Sequence, residues 1–257
     1  MSNTYGNAYP ALGINSDNQV FGVDTNNQIH PLSKAGFAET IGISQDGIIW
    51  AISTTPDPGT GSYLYWSKAD GNWNPTGNVD GDAFLTGTGA GMCLVYTLDG
   101  TLWAYNVDGS RSVITNINDL QDMDYGGTTL WAVFPTTPGG VPCLQFWNVM
   151  QTPPNWVQFQ GSPAPSGISC SYNGDCYGVV DFSPIYYSGD GKTSNSAGSG
   201  ANGSTLEMSF KNNFYGLSTN ADKNGNQVLI WVDEMGGVFQ NAGFQAIQVL
   251  ATYYLGS

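Results

Sequence analysis

Hydrophobic and polar positions alternate along most of this chain, and short turn pairs interrupt the alternation at intervals. Residues 43–53, "ISQDGIIWAIS", show the unit: apolar residues two apart, an Asp-Gly pair, then an aromatic, a small residue and an aliphatic one. Side chains two apart share one face of a strand, and Asp-Gly tolerates the positive φ that a tight hairpin needs. The unit recurs. Its outgoing triplets are Phe21-Gly22-Val23, Trp50-Ala51-Ile52, Trp103-Ala104-Tyr105, Trp131-Ala132-Val133, Tyr177-Gly178-Val179 and Tyr215-Gly216-Leu217. Most are preceded by turn pairs, among them Asp17-Asn18, Asp46-Gly47, Asp99-Gly100 and Asn173-Gly174. Incoming apolar pairs come before the turns: Leu12/Ile14, Ile41/Ile43, Leu94/Tyr96, Ile168/Cys170 and Leu206/Met208. The fourth copy has Asp122/Asp124 there, which predicts a shifted or irregular incoming strand.

Each copy therefore predicts strand, tight turn, strand. Large and small side chains alternate between the two faces, so a neighbouring sheet can seat its own aromatic over each Gly or Ala. Third strands are predicted at "QIHPL", "YLYWS", "LQFWNV", "IYYS" and "VLIWVD", and fourth strands beside Trp73 and Trp156. Uneven all-β repeats of about 30–50 residues predict an all-β fold, a single β-propeller over residues 1–257 with antiparallel sheets of three to four strands. Six blades are expected, with the six triplet aromatics in equivalent places. Seven are expected if "FQAIQVLATYYLGS" makes a sheet of its own rather than pairing with the N-terminus to close the ring. Residues 188–205, "SGDGKTSNSAGSGANGST", read as a flexible low-complexity loop on the surface.

The Asp-Gly-x-x-Trp-Ala units at 46–52 and 99–105, their weaker relatives, "NNQI" at 26–29 and "WVQFQG" at 156–161 resemble the tectonin-like β-propeller lectins. That resemblance implies binding of microbial or other cell-surface glycans in recognition or defence. The first copy departs from the family pattern, because its third strand reads "QIHPL" where the family often ends on Trp.

Composition narrows the functions. With 35 Gly and 13 Pro, long helices are disfavoured. Six Lys+Arg against 20 Asp+Glu give a net charge of −14, so no basic footprint for nucleic acid or an anionic membrane can be assembled. The N-terminal residues lack the basic and apolar regions of a secretory signal, and no apolar run approaches a membrane span. The expectation is a soluble chain made in the cytoplasm, with export by a non-classical route left open. Cys93 and Cys143 sit in apolar runs and read as buried thiols. Cys170 and Cys176 flank "SYNGD", a spacing compatible with their lying across a hairpin, where a bridge would need an oxidising compartment.

Catalytic chemistry is sparse. The single His30 has no nucleophile motif beside it. Arg111 alone cannot make the arginine cluster of a sialidase-type propeller. Asp119, Asp122 and Asp124 read as a solvated acidic loop. Asn78, Asp80 and Asp82 alternate as Ca²⁺ ligands can, but without the downstream Glu of a calcium loop. No cofactor, metal or enzyme activity is therefore expected. Trp50, Trp103 and Trp131 are expected to fill the interfaces between sheets. Trp66, Trp73, Trp147 and Trp156 lie near loops and are the candidate glycan platforms, with Asn72, Asn74 and Asn155 as partners for sugar hydroxyls. Several weak sites would gain from multivalency, which self-association would increase. A protein-interaction propeller is the second reading and a glycoside-acting enzyme the third.

Overall fold

A computed structural model describes residues 9–251 apart from 27, 80–83, 90, 135–142, 149–154, 160–163, 171–173, 181–182, 189–193, 197–202, 209–213, 222–226, 234–237 and 247. The described residues form six four-stranded antiparallel sheets. The first contains β1 (Ala11–Ile14), β2 (Val20–Val23) and β3 (Ile29–Pro31). The second is β4 (Ala38–Ile43), β5 (Ile49–Ser53), β6 (Leu64–Ser67) and β7 (Asn74–Gly77). The third is β8 (Phe84–Gly87), β9 (Met92–Tyr96), β10 (Thr101–Asn106) and β11 (Arg111–Asn116). The fourth is β12 (Asp122–Gly126), β13 (Thr129–Phe134), β14 (Cys143–Asn148) and β15 (Val157–Gln158). The fifth is β16 (Ile168–Cys170), β17 (Cys176–Val180), β18 (Ser183–Tyr187) and β19 (Ser194–Ser196). The sixth is β20 (Gly203–Met208), β21 (Phe214–Ala221), β22 (Gln227–Asp233) and β23 (Val238–Ala246).

Strand β24 (Gln248–Ala251) returns to the first sheet and pairs antiparallel with β1, Leu12 opposite Leu250. The C-terminus thus supplies the innermost strand of the sheet that the N-terminus begins. The innermost strands β24, β4, β8, β12, β16 and β20 touch in that order and back to β24, which closes a β-propeller. Among the described residues the C-terminal segment does not make a seventh sheet. Its two halves separate, β23 ending the sixth sheet and β24 completing the first.

The large–small alternation packs as its chemistry demands. Trp50 enters the apolar cluster between the second and third sheets, while Ala51 faces the cluster shared with the first. Trp131 likewise faces the fifth sheet and Ala132 the third. Both tryptophans are fully buried, and their indole N–H groups donate to Ser44 Oγ (3.2 Å) and the Gly174 carbonyl (2.9 Å). A buried indole left unpaired would carry the cost of a lost hydrogen bond. Innermost strands of adjacent sheets come so close at Gly87 that a Cβ there would collide with the backbone of Ile43 and Ser44.

The six aromatics do not occupy equivalent places. Trp50, Trp131, Tyr177 and Tyr215 lie on second strands, whereas Phe21 and Trp103 lie on third strands. The hairpin joining strands one and two and the one joining strands two and three carry the same turn chemistry, so the motif alone does not tell them apart. Trp103 consequently faces back toward the second sheet and is only half-buried, not the interface filler expected. For the same reason "QIHPL" forms a fourth strand rather than a third. The segment 188–205 is not a loop throughout: Ser194–Ser196 is the fourth strand of its sheet, opposite Ile185, Tyr186 and Tyr187, and Gly203 begins the next one. The fourth copy's incoming strand is regular, with Asp122 opposite Val133 and Asp124 opposite Trp131.

Candidate functional site

Between the first and second sheets the chain crosses from β3 to β4 through Leu32, Ser33, Lys34 and Phe37. Opposite, it turns at Gly71 before Trp73 and β7. Together with Pro31 these residues line a cleft of about 470 Å³, within the roughly 300–1,000 Å³ span of small-ligand sites. Gly71 has φ of +80°, a left-handed conformation that sharpens this turn. The Trp73 indole is fixed by two contacts. Its N–H donates to the Leu32 carbonyl (2.8 Å), and its ring lies 4.7 Å from that of the buried Phe37, centroid to centroid. Because Leu32 occupies the indole donor, the half-buried ring offers its apolar surface. Lys34 is exposed and places a cation beside it. Asn72 stands exposed on the rim, its backbone N–H bonded to Asp70 Oδ1 (3.0 Å). The Asn72 backbone and side-chain hydrogen bonds hold the Asp70 carboxyl below its ordinary range. The cleft therefore joins an oriented aromatic wall to the Lys34 ammonium, with the exposed Asn72 amide adjacent in the chain and the Ser33 hydroxyl held by the Val20 N–H and the Lys34 carbonyl.

Trp156 holds the matching place in the fourth sheet, just before the fourth strand. It packs at 5.7 Å on Phe134, edge to face, and at 5.9 Å on Trp147. Asn155 beside it is exposed. Trp147 itself is 2% exposed, so it supports Trp156 rather than presenting a surface. Trp66 is half-buried on the opposite face of the second sheet from Trp73, and the exposed Asn74 donates to its carbonyl (3.4 Å). The seven candidate residues thus divide among three places: Asn72 with Trp73, Asn74 with Trp66, and Asn155 with Trp156 over Trp147. Leu32 ends the stretch expected as a strand at "QIHPL", whereas Ser33, Lys34 and Phe37 lie in the linker between sheets, and linkers carry no periodic signal to mark them.

Asp122 and Asp124 are not part of a solvated loop. They lie on an innermost strand and bind the next one. The backbone N–H groups of Ile168 and Cys170 donate to Asp122 Oδ2 (2.8 Å) and Asp124 Oδ2 (2.6 Å), and Thr86 Oγ1 donates to Asp124 Oδ1 (2.8 Å). An innermost strand is an edge with unpaired backbone donors. Here carboxylates two residues apart meet donors two residues apart. Burial among three sheets raises Asp122 to about 7 and Asp124 to about 6; their backbone hydrogen bonds oppose the rise, and Asp124 repels Asp122. The sequence signal was their place at the positions of an apolar pair. Asp119 stands apart in the turn before, with φ of 57°.

The remaining candidates have modest surroundings. His30 is exposed and its Nε2 bonds Asp24 Oδ2 at 2.9 Å. The Arg111 guanidinium stacks 4.8 Å over Trp103 and donates to the Tyr105 hydroxyl (3.1 Å). Asn78 accepts from that hydroxyl through its carbonyl (3.3 Å), while Asp80 and Asp82 lie outside the described residues. Among the described residues no group of three or more His, Cys, Asp or Glu side chains is placed to hold a metal ion, and no helix is long and apolar enough to cross a membrane.

No family model matches the chain, and no curated protein does. Solved structures do. A chain of a nidogen/laminin complex is similar at a TM-score of 0.64 and 12% identity, over 95% of this chain and 98% of that one. A gluconolactonase from Xanthomonas campestris is similar at 0.53 and 12%, over 92% and 88%. YCF48 bound to a D1 peptide is similar at 0.53 and 11%, over 96% and 78%. Identities this low establish a shared architecture, the β-propeller, and nothing about ligands.

Proposed function

We propose that this chain is a carbohydrate-binding propeller, six-bladed when each sheet is taken as one blade, with no catalytic role. The observation that carries the reading is the Trp73 cleft. A sugar ring has an apolar C–H face and a rim of hydroxyls. The oriented indole matches the face, Lys34 supplies a donor in the cleft lining, and Asn72 adds an exposed amide next to Trp73 in the chain. The related placement of Trp156 gives a second, separate aromatic surface, as a multivalent glycan binder requires. Individual sites of this kind are weak, and avidity on a glycan-bearing surface would make the binding useful.

The test is a glycan array with the purified chain, followed by titration of each responding glycan against tryptophan fluorescence. Trp73→Ala should reduce surface avidity several-fold while the protein still folds cooperatively, at a cost of about 1–2 kcal/mol for a half-buried ring. Trp156→Ala should act in the same way and independently.

A protein-interaction role is the second reading, favoured by the exposed apolar residues Ile29, Val113 and Val157 on outermost strands. Two of the similar structures are, by their descriptions, complexes with another protein or a peptide. Silence across the array, together with a stoichiometric partner in a pull-down, would replace the glycan reading with this one.

A further inference from the structure

We propose that Cys170 and Cys176 form a cross-strand disulfide site, closed by exchange with a small disulfide such as oxidised glutathione. The two residues are directly opposed in the β16–β17 hairpin. The Cys170 N–H turns away from β17 toward Asp124, as the Ile168 N–H turns toward Asp122. Cys170 and Cys176 therefore make a non-hydrogen-bonded pair, the kind in which facing Cα atoms stand about 4.5 Å apart and side chains are closest. That separation lies within the roughly 4.4–6.8 Å that a disulfide spans. Both side chains belong to the same apolar cluster, between the fourth and fifth sheets. Cys93 and Cys143 lie in other clusters, away from this pair.

The chemistry balances without a further reagent. One thiolate attacks the small disulfide, forming a mixed disulfide and releasing one small thiolate. The second cysteine, as its thiolate, then attacks the protein sulfur of that mixed disulfide and releases the other. The protein loses two protons and two electrons, and the small disulfide gains the electrons as two thiolates. Burial raises both protein thiols above their ordinary range, because the apolar surroundings disfavour the thiolate. Folded protein should react slowly in consequence. The bond should form readily while the hairpin is open, during folding or under partial denaturation.

The experiment uses the full chain carrying Cys93→Ser and Cys143→Ser, so that only this pair can react. It is refolded in a glutathione redox buffer and, separately, the folded protein is held with oxidised glutathione at a sub-denaturing urea concentration. Both samples are expected to lose the mass of two hydrogens, to yield a 170–176 cross-linked peptide, and to melt about 5 °C higher than the reduced form, given the short loop closed. Adding Cys176→Ser should remove the mass loss and the shift. Thiols that stay fully alkylatable after both treatments would overturn the proposal, as would glutathione held as a stable mixed disulfide on either cysteine. The second treatment keeps the test decisive if refolding fails.

Discussion

Two carboxylates that staple neighbouring sheets should give this protein a stability that falls as pH rises from acid to neutral. Asp122 and Asp124 each bind proton more tightly in the folded chain than in the unfolded one, because burial disfavours their charge. Between about pH 4 and pH 7 the native state holds protons that the unfolded state has already released. Unfolding free energy must then decrease with pH across that window. The stabilisation is complete below the unfolded value near 3.8 and is lost as pH passes through about 6 and 7. A rise to about 7 corresponds, for Asp122 alone, to roughly 4 kcal/mol at about 1.4 kcal/mol per unit. Both groups keep some solvent access and repel each other, so about 3 kcal/mol for the pair is the working figure. Exposed and half-buried carboxyls act elsewhere. Asp24, Asp57, Asp70, Asp99 and Asp108 are lowered by hydrogen bonds, so their contribution is lost only as pH falls below about 4.

The assay is urea unfolding followed by tryptophan fluorescence at half-unit steps from pH 4 to 8. It is repeated at high salt to screen the general repulsion of a chain with net charge −14. Asp122→Asn keeps an acceptor for the Ile168 N–H but cannot ionise. The variant should show a flattened pH slope and equal or exceed the parent in stability at pH 7.5. A parent whose stability rises between pH 4.5 and 7.5 would refute the reasoning. So would a salt-resistant slope that survives Asp122→Asn and Asp124→Asn together.

Four other perturbations have defined outcomes. Trp50→Ala empties a fully buried site and frees Ser44, and should cost about 3–5 kcal/mol in chemical unfolding. Trp103→Ala, on a half-buried ring, should cost no more than about 1–2 kcal/mol. Removing residues 248–257 deletes the strand that closes the ring, and the cooperative thermal transition followed by circular dichroism should disappear. Deleting 190–203 removes the outermost strand of the fifth sheet, so the melting temperature should fall measurably rather than stay constant as loop shortening alone would predict.

What the sequence disclosed follows from which interactions are local. Hairpins are local. The turn at Asp46-Gly47, the pairing of Ile41 with Ala51 and the opposite burial of Trp50 and Ala51 all follow from neighbouring residues, and all are present. The position of a hairpin within its sheet is not local. Trp103 follows the same Asp-Gly signal as Trp50, yet a first strand at Phe84–Gly87 precedes its hairpin and moves it outward by one place. Polarity misled for a related reason. Ser194–Ser196 has no apolar residue, but an outermost strand needs only backbone partners, and β18 provides them. Asp122 and Asp124 looked like loop residues because their partners lie in a strand more than forty residues away. A carboxylate at an inward position makes sense only once the edge donors of Ile168 and Cys170 are in place to receive it. The Trp73 cleft was half legible. Trp73 and Asn72 were found by the pairing of an aromatic with amides, but the opposing wall comes from the linker between two sheets, and only ring closure brings that wall across from the indole. In this chain, then, the Trp73 cleft draws on contacts between sheets, where one-dimensional patterns are weakest.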